Sequence, residues 1–306
     1  MMIEQLLPKA QRIDLAEIAS RIQKQQNLAT PFCDEIIDFC SAFSKRLFAQ
    51  PESKQYPELQ ALAYWMRKAS IKRLKADFEQ LNSDHSLLVP RGLVLHYPPS
   101  NVDTIFVYSW LLSLLVGNRN LLRISSKELS AQTECLLRVL AELMNEFDSE
   151  LIQQSTTIVR FAHESEISQT FASIADVRVI WGGDQSVSTI RKFALPPHAT
   201  ELCFPDRFSY AALTSAAYLQ QPEEEQFKIA ESFFNDAYWF DQMGCSSPRV
   251  IFWLGSAEQA AQCRQLFMAQ LQEVITSKAY AVETGVAMNK MLFSYEAAIT
   301  QPVQSF

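Results

Sequence analysis

The first part of the chain has the apolar spacing of helices. Between residues 11 and 82, apolar side chains such as Leu59, Leu62 and Trp65 recur every three or four positions. This is the period of an amphipathic helix, and prolines divide the stretch into several helices. We therefore predict an N-terminal helical region over residues 1–85.

From residue 86 the pattern changes to short apolar runs that alternate with helical segments. It predicts a strand pair or one interrupted strand within 87–97, and further strands at 121–124, 157–161 and 177–181. It also predicts helices at 103–116, 127–147, 165–173 and 185–193. Strand and helix in alternation are typical of an α/β fold with a doubly wound parallel sheet. We place this domain at residues 86–200, because two prolines interrupt the pattern just before its end.

The last part of the chain, residues 201–306, predicts a second α/β unit. Its pattern contains strands at 210–213 and 249–253 and helices at 223–240 and 256–275, followed by an irregular tail to Phe306. We therefore expect a second, smaller domain there.

Composition narrows the classes of function. The net charge is −7 and the pI is near 5.3, which argues against nucleic-acid binding. The longest apolar run, Ile105 to Val116, is shorter than the ~20 residues of a membrane span, and the N-terminus lacks a signal-peptide pattern. The cysteines form neither a CxxC metal motif nor a disulfide framework. We expect a cytoplasmic protein without a metal site.

Gly182 and Gly183 follow a predicted buried strand and precede a helix. Glycines at this position let a phosphate or a ring approach the backbone where helix N–H groups point outward. The motif is not GxGxxG, and a tight turn with Asp184 capping the next helix explains it equally well.

Cys245 is the strongest candidate nucleophile. It follows Gly244 and precedes two serines in a loop between a helix and a strand, so its sulfur would be accessible. A reactive thiol needs a lowered pKa, and no histidine or lysine lies nearby in sequence to supply it. From the residues alone, a catalytic and an ordinary surface cysteine both remain possible.

Four segments in a common order carry a resemblance to a known family. They are residues 92–123, with His-Tyr-Pro-Pro-Ser-Asn and later Gly-Asn; residues 179–184, Val-Ile-Trp-Gly-Gly-Asp; residues 200–206, Thr-Glu-Leu-Cys-Phe-Pro-Asp; and residues 240–249, around Gly-Cys-Ser-Ser-Pro. Together they resemble the LuxC family, the fatty acyl-CoA reductases of bacterial bioluminescence within the aldehyde dehydrogenase superfamily. The resemblance implies an aldehyde-dehydrogenase-like fold with a Rossmann-like nucleotide-binding domain and a partial catalytic domain.

The resemblance also implies roles for single residues. Cys245 would attack an acyl thioester and hold the acyl group for reduction by NADPH. Asn101 would donate a hydrogen bond to the developing oxyanion, together with the Cys245 backbone N–H, and the neighbouring Ser100 is assigned to the cofactor-binding set. Gly182 and Gly183 would let the cofactor lie against the turn. Arg123 matches a lysine that contacts the adenosine ribose, and an arginine there suits the 2′-phosphate of NADPH.

Glu201 matches the superfamily's general base, which activates water to hydrolyse the thioester. A reductase must avoid that reaction, so a proton-shuttling role and a purely structural role both stay open. The implied substrate is acyl-CoA or an acyl-protein, and the implied assembly is a homo-oligomer or a complex with an acyl-transferring partner.

The sequence also departs from the family. Only 61 residues follow Cys245, and the family's later Glu-x-Phe-Gly-Pro segment is absent, which indicates a C-terminally shortened catalytic domain. Two other functions are therefore kept: a non-catalytic or half-enzyme assembly module, and a conventional aldehyde oxidiser or γ-glutamyl-phosphate-type reductase.

Overall fold

The structure, a computed structural model, comprises two compact units. It describes residues 1–25, 28–81, 85–99, 102–147, 149–162, 165–205, 207–238, 241–242, 244–282 and 284–300. The first unit spans Met1–Asp206 and the second Arg207–Phe306. The predicted division into residues 1–85, 86–200 and 201–306 stays a prediction.

The first unit is built on one mixed β-sheet. Its strands are β1 (Met2–Leu7), β2 (Gln11–Asp14), β3 (Leu93–Tyr97), β4 (Arg119–Ser125), β5 (Thr156–Phe161), β6 (Val177–Trp181) and β7 (Thr200–Phe204). They lie in the order β2-β1-β5-β4-β3-β6-β7. Strands β3 to β6 are parallel, as predicted, and the parallel strand β7 was not predicted. Strand β1 is antiparallel to both β5 and β2.

Helices cover both faces of this sheet, as expected for a doubly wound fold. They are α1 (Leu15–Lys24), α2 (Asp34–Phe48), α3 (Glu52–Gln55), α4 (Pro57–Trp65), α5 (Lys68–Glu79), α6 (Ile105–Leu115), α7 (Ala131–Phe147), α8 (Glu150–Gln154), α9 (Ser165–Ala172) and α10 (Asp184–Ile190). Successive residues of a strand point to opposite faces. Leu122 therefore packs with Phe39 and Trp110 from α2 and α6, whereas Leu121 packs with Phe171 from α9.

The N-terminal helices belong to the main core of the first unit. Helices α2, α4 and α5 pack in one cluster with α6, α7 and the sheet. The apolar spacing seen at Leu59 and Leu62 is thus explained, because both residues are buried in that cluster.

The second unit pairs two parallel strands with four helices in its described residues. The elements are β8 (Ser209–Thr214), α11 (Ser215–Leu219), α12 (Glu223–Tyr238), β9 (Pro248–Leu254), α13 (Ala257–Ser277) and α14 (Thr284–Thr300). Its core joins Phe234 of α12 to Cys263, Phe267 and Leu271 of α13.

Three predicted elements are wrong. Residues 11–14 form strand β2 instead of helix, and the predicted irregular tail contains α14. The region 87–97 holds a single short strand, β3. The backbone N–H groups of Arg91 and Gly92 bond to the side chain of Asn118, so these residues do not extend the strand.

Candidate active site

The sheet order brings two of the predicted loops to the same place. Strand β3 is followed through α6 by β4 on one side, and the chain later returns to β3's other side as β6. Ligands of such sheets bind outside the carboxyl ends of the strands where the order reverses. Tyr97 of β3 pairs with Ile180 of β6, so the loops that follow these strands begin side by side. Ser100 and Asn101, in the first loop, lie outside the described residues.

The Gly182–Gly183 turn forms the second loop at this edge. The Gly182 N–H donates to the Phe204 carbonyl at 3.2 Å. Gly182 has a φ of +159°, and a Cβ placed there would lie 3.4 Å from the Cβ of Ser186, so the backbone conformation rather than crowding accounts for the glycine. Gly183 is the N-cap of α10. Asp184 is the first helical residue, so the expectation that Asp184 caps the helix is wrong.

A buried chain of hydrogen bonds holds the residue just before this turn. The Trp181 indole N–H donates to Ser109 Oγ at 3.1 Å, and Ser109 Oγ lies 2.9 Å from His96 Nδ1. His96 Nε2 lies 3.0 Å from Asn120 Oδ1. The amide nitrogen of Asn120 already donates to two backbone carbonyls, so the atom that faces His96 is an oxygen and accepts. His96 therefore donates through Nε2 and accepts through Nδ1.

Desolvation sets the charge of this histidine. His96 is almost completely buried, and burial lowers its pKa to about 4, although the bond to Asn120 acts in the opposite direction. A neutral imidazole thus connects β3 to α6 and β4. It fixes the Trp181 ring, which also stacks on Phe204 with ring centroids 3.9 Å apart.

Arg123 lies near the carboxyl end of β4. Its guanidinium donates to the Phe161 carbonyl at 3.2 Å and lies 5.5 Å from the centroid of the Phe161 ring. Burial lowers the pKa of Arg123. A guanidinium has several N–H donors, so this arrangement anchors the side chain and leaves donors for an anionic ligand.

Glu201 is held between two arginines. Its Oε2 accepts from Nε of Arg178 at 2.7 Å and from a second nitrogen of the same guanidinium, and its Oε1 lies 2.7 Å from Nε of Arg191. Arg178 is buried and also donates to the carbonyls of Ile190 and Phe193. The carboxylate therefore links β6, β7 and the end of α10.

The described candidate residues of the first unit lie on, or directly after, three strands of the sheet. Gly182 and Gly183 follow β6 on one side of β3, and Arg123 lies on β4 on the other side. Glu201 lies on β7, three strands from Arg123 in the sheet order, or about 14 Å at the usual strand spacing. Arg178 and Arg191 were not predicted as site residues from the sequence. An arginine inside the apolar strand Val-Arg-Val-Ile-Trp was the available signal, because a buried charge requires a partner.

Cys245 belongs to the second unit, in the loop between α12 and β9. All six cysteines are described and unpaired, and Cys245 alone among them is exposed. Its backbone carbonyl accepts from Ser209 Oγ at 2.7 Å, and the Ser247 N–H donates to the Gly244 carbonyl at 3.0 Å. The loop thus ties the start of β8 to the start of β9 and leaves the thiol accessible.

The described part of the chain contains no group of three or more His, Cys, Asp or Glu side chains arranged to hold a metal ion. Within the same residues, no helix combines the length and the apolar character needed to cross a bilayer.

Known proteins resemble this chain in both sequence and fold. A reductase from Aliivibrio fischeri, named long-chain acyl-protein thioester reductase, is 24% identical over 54% of this chain and 33% of its own length. The protein of the same name from Photorhabdus luminescens is 25% identical over 58% of this chain and 35% of its own length. The matched stretch is therefore about a third of the length of these relatives.

Solved structures of aldehyde dehydrogenases share the fold. An NAD-dependent benzaldehyde dehydrogenase from Corynebacterium glutamicum matches with a TM-score of 0.56 and 14% identity, over 88% of this chain and 60% of that one. An NADP-dependent glyceraldehyde-3-phosphate dehydrogenase from Bacillus halodurans, complexed with NADP, matches with a TM-score of 0.55 and 15% identity, over 90% and 61%. The predicted aldehyde-dehydrogenase-like α/β fold is thus confirmed.

The family assignment rests on a longer match than the two reductases named above provide. The family model described as acyl-CoA reductase (LuxC) matches residues 34–282, which include both predicted loops, Arg123, Glu201 and Cys245. This match covers most of the chain, and it confirms the resemblance inferred from the four sequence segments. The chain therefore belongs to the LuxC acyl-CoA reductase family.

Proposed function

We propose that this chain carries out acyl transfer and nicotinamide binding in a reductase of long-chain acyl thioesters. The observation that supports this proposal most strongly is the exposed Cys245, in the loop just before β9, in a chain of the LuxC family. The relatives' name, long-chain acyl-protein thioester reductase, supports a long-chain acyl group on CoA or on a protein thiol as the substrate. A homo-oligomer, or a complex with an acyl-transferring protein, is part of the same proposal.

In the proposed reaction, Cys245 attacks as the thiolate. Its sulfur forms a bond to the thioester carbonyl carbon, and the carrier thiolate leaves, so the acyl group becomes a thioester of Cys245. We propose that Asn101 and the Cys245 backbone N–H donate hydrogen bonds to the carbonyl oxygen as it becomes negative. Loss of one such donor typically lowers a rate by ~10²–10³. A hydride added to the carbonyl carbon would reduce the bound acyl group, and cleavage of the C–S bond would then release the aldehyde and leave the sulfur as a thiolate.

The edge of the sheet at β3, β4 and β6 fits a nicotinamide dinucleotide. A Gly-Gly turn can be approached closely by a ring or a phosphate, and the half-buried Arg123 guanidinium suits a phosphate. NADPH, when bound, would supply the hydride that reduces the acyl group. We propose that Arg123 contacts its 2′-phosphate, that Gly182 and Gly183 lie against it, and that Ser100 belongs to the same site.

We propose a structural role for Glu201. Both carboxylate oxygens are engaged by Arg178 and Arg191, so the side chain is committed to linking β6, β7 and the end of α10 rather than to orienting a water molecule. This arrangement would protect an acyl-cysteine intermediate from hydrolysis, as a reductase requires.

The test is a coupled assay with palmitoyl-CoA. NADPH oxidation is followed by absorbance and the aldehyde is trapped and quantified, for the wild type, Cys245→Ala and the control Cys33→Ala. We expect equal amounts of aldehyde and oxidised NADPH with the wild type and Cys33→Ala, and neither product with Cys245→Ala. Turnover that survives in Cys245→Ala would refute the proposal. An inactive wild type would support the assembly-module alternative.

A further inference from the structure

The loop that carries Cys245 begins with an unusual backbone conformation. After α12, the N–H groups of Asp241 and Gln242 donate to the carbonyls of Tyr238 and Ala237 at 3.1 and 3.0 Å. Asp241 and Gln242 have φ values of +50° and +63°, in the left-handed region that non-glycine residues seldom occupy. Two consecutive residues persist there only when their surroundings hold them.

Tyr280 is the residue that holds Asp241. It follows α13, and its hydroxyl donates to Asp241 Oδ1 at 2.6 Å. The rings of Phe234 and Tyr238 flank its ring, with centroids 5.8 and 5.2 Å away. Burial, followed by the bond to Asp241, raises the pKa of Tyr280. The phenol therefore stays protonated and remains the donor.

Lys290 of α14 extends this contact. Its Nζ donates to the Tyr280 hydroxyl at 3.3 Å and lies 5.4 Å from the centroid of the Tyr238 ring. A cation at this distance from an aromatic face is attracted by the ring. Burial lowers the pKa of Lys290, and the negative charge of Asp241 opposes that shift. Asp241, Tyr280 and Lys290 thus form a continuous polar chain from α14 to the loop, which we name the anchor chain.

The same loop is tied down again at Cys245. Ser209 Oγ donates to the Cys245 carbonyl at 2.7 Å. Asp241 and Cys245 therefore each have a side-chain attachment: Asp241 to the anchor chain and Cys245 to Ser209 of β8.

We propose that Tyr280, supported by Lys290, is a positioning residue for Cys245. The inference rests on the proposed function, because that function makes Cys245 a nucleophile, and the position of a nucleophile affects the rate at which it reacts. It also gives α14 a part in the site. Lys290 lies outside residues 34–282, the region that matches the family model, so the anchor chain joins a family segment to a helix beyond it.

The experiment compares Tyr280→Phe with Tyr218→Phe. Tyr218 is a matched control, because its hydroxyl also makes a buried bond, 2.8 Å to Gln270 Oε1, in the core of the same unit. Two rates are measured on the full chain: alkylation of Cys245 by iodoacetamide, located by peptide mapping, and acylation of Cys245 by palmitoyl-CoA. Thermal unfolding of each variant is recorded alongside.

We expect Tyr280→Phe to change the alkylation rate and lower the acylation rate by about tenfold, the factor that corresponds to ~1.4 kcal/mol and to the lower range of a bond to a charged acceptor. Tyr218→Phe should react like the wild type even where its unfolding temperature falls. Lys290→Met should also lower the acylation rate, whereas Lys290→Arg, which keeps the positive charge, should react at a rate close to that of the wild type. Wild-type rates of alkylation and acylation in Tyr280→Phe would overturn the inference.

The two readouts separate this inference from the proposed function. If palmitoyl-CoA fails to acylate the wild type, the proposed function fails, and the alkylation rates still decide whether the anchor chain positions the thiol. If the wild type is acylated and Tyr280→Phe matches it in both rates, the positioning inference alone fails.

Discussion

Replacing Glu201 by glutamine tests whether this residue is structural. The substitution keeps the side-chain size but removes the charge that pairs with Arg178, whose side chain is 4% exposed. Breaking a buried ion pair by removing one partner costs ~3–5 kcal/mol, because the other charge stays buried and uncompensated. Arg178 keeps its bonds to two carbonyls at the end of α10, which favours the lower value. The bond to Arg191 adds at most ~1 kcal/mol, because Arg191 is 62% exposed.

We therefore expect Glu201→Gln to lower the free energy of unfolding of the first unit by about 3 kcal/mol. For a unit of this size, that is a fall of about 6–12 °C in the unfolding temperature. Differential scanning calorimetry measures it, with Arg191→Gln as a matched control expected to shift by less than about 4 °C. A Glu201→Gln protein that melts within about 2 °C of the wild type but no longer hydrolyses its acyl-enzyme would refute the structural role and indicate a general base.

Two further predictions concern His96 and Arg123. Because burial holds the pKa of His96 at about 4, below the unfolded value of about 6.5, the unfolded chain binds the extra proton first. Stability should fall by about 3 kcal/mol as the pH drops from 6.5 to 4, and urea titrations of wild type and His96→Gln should show this slope in the wild type only. Arg123→Leu should lower the ratio of kcat/KM for NADPH over NADH by about tenfold or more; an unchanged ratio would remove Arg123 from the 2′-phosphate site.

Much of the fold follows from local patterns. Strand β6 was predicted with its observed limits, because a run that is apolar except for Arg178 lies between Asp176 and a glycine turn. Strand β1 was missed although Ile3 and Leu7 point inward, because the inward position between them is the polar Gln5. Buried Gln5 has hydrogen-bond partners for its amide, because it donates to the Lys9 carbonyl and accepts from Arg21. A sequence pattern cannot reveal these contacts.

Helix α14 was not predicted, for a different reason. Many of its apolar side chains, including Met288, Met291 and Leu292, are exposed, so the segment lacks the alternation of apolar and polar faces that indicates a helix. Its contribution near the candidate site, Lys290, was therefore also unpredicted.

The residues of the candidate site also differ in whether local sequence could predict them. Cys245 and the Gly182–Gly183 turn were located from residue types in loops, which is local information. The partners of Glu201 depend on β6 and β7 being neighbours in the sheet, and Tyr280 meets Asp241 across 39 positions of sequence. Such contacts follow from tertiary packing, and a single sequence carries no direct signal of them.

Intact-protein mass spectrometry can detect the transfer of an acyl group to Cys245. The purified chain is incubated with palmitoyl-CoA without NADPH, and the adduct is mapped by peptide analysis. We expect one acyl group per chain on Cys245, removed by hydroxylamine as a thioester should be, and no such adduct in Cys245→Ala. An adduct on another residue, or one that persists in Cys245→Ala, would show that Cys245 is not the acyl acceptor.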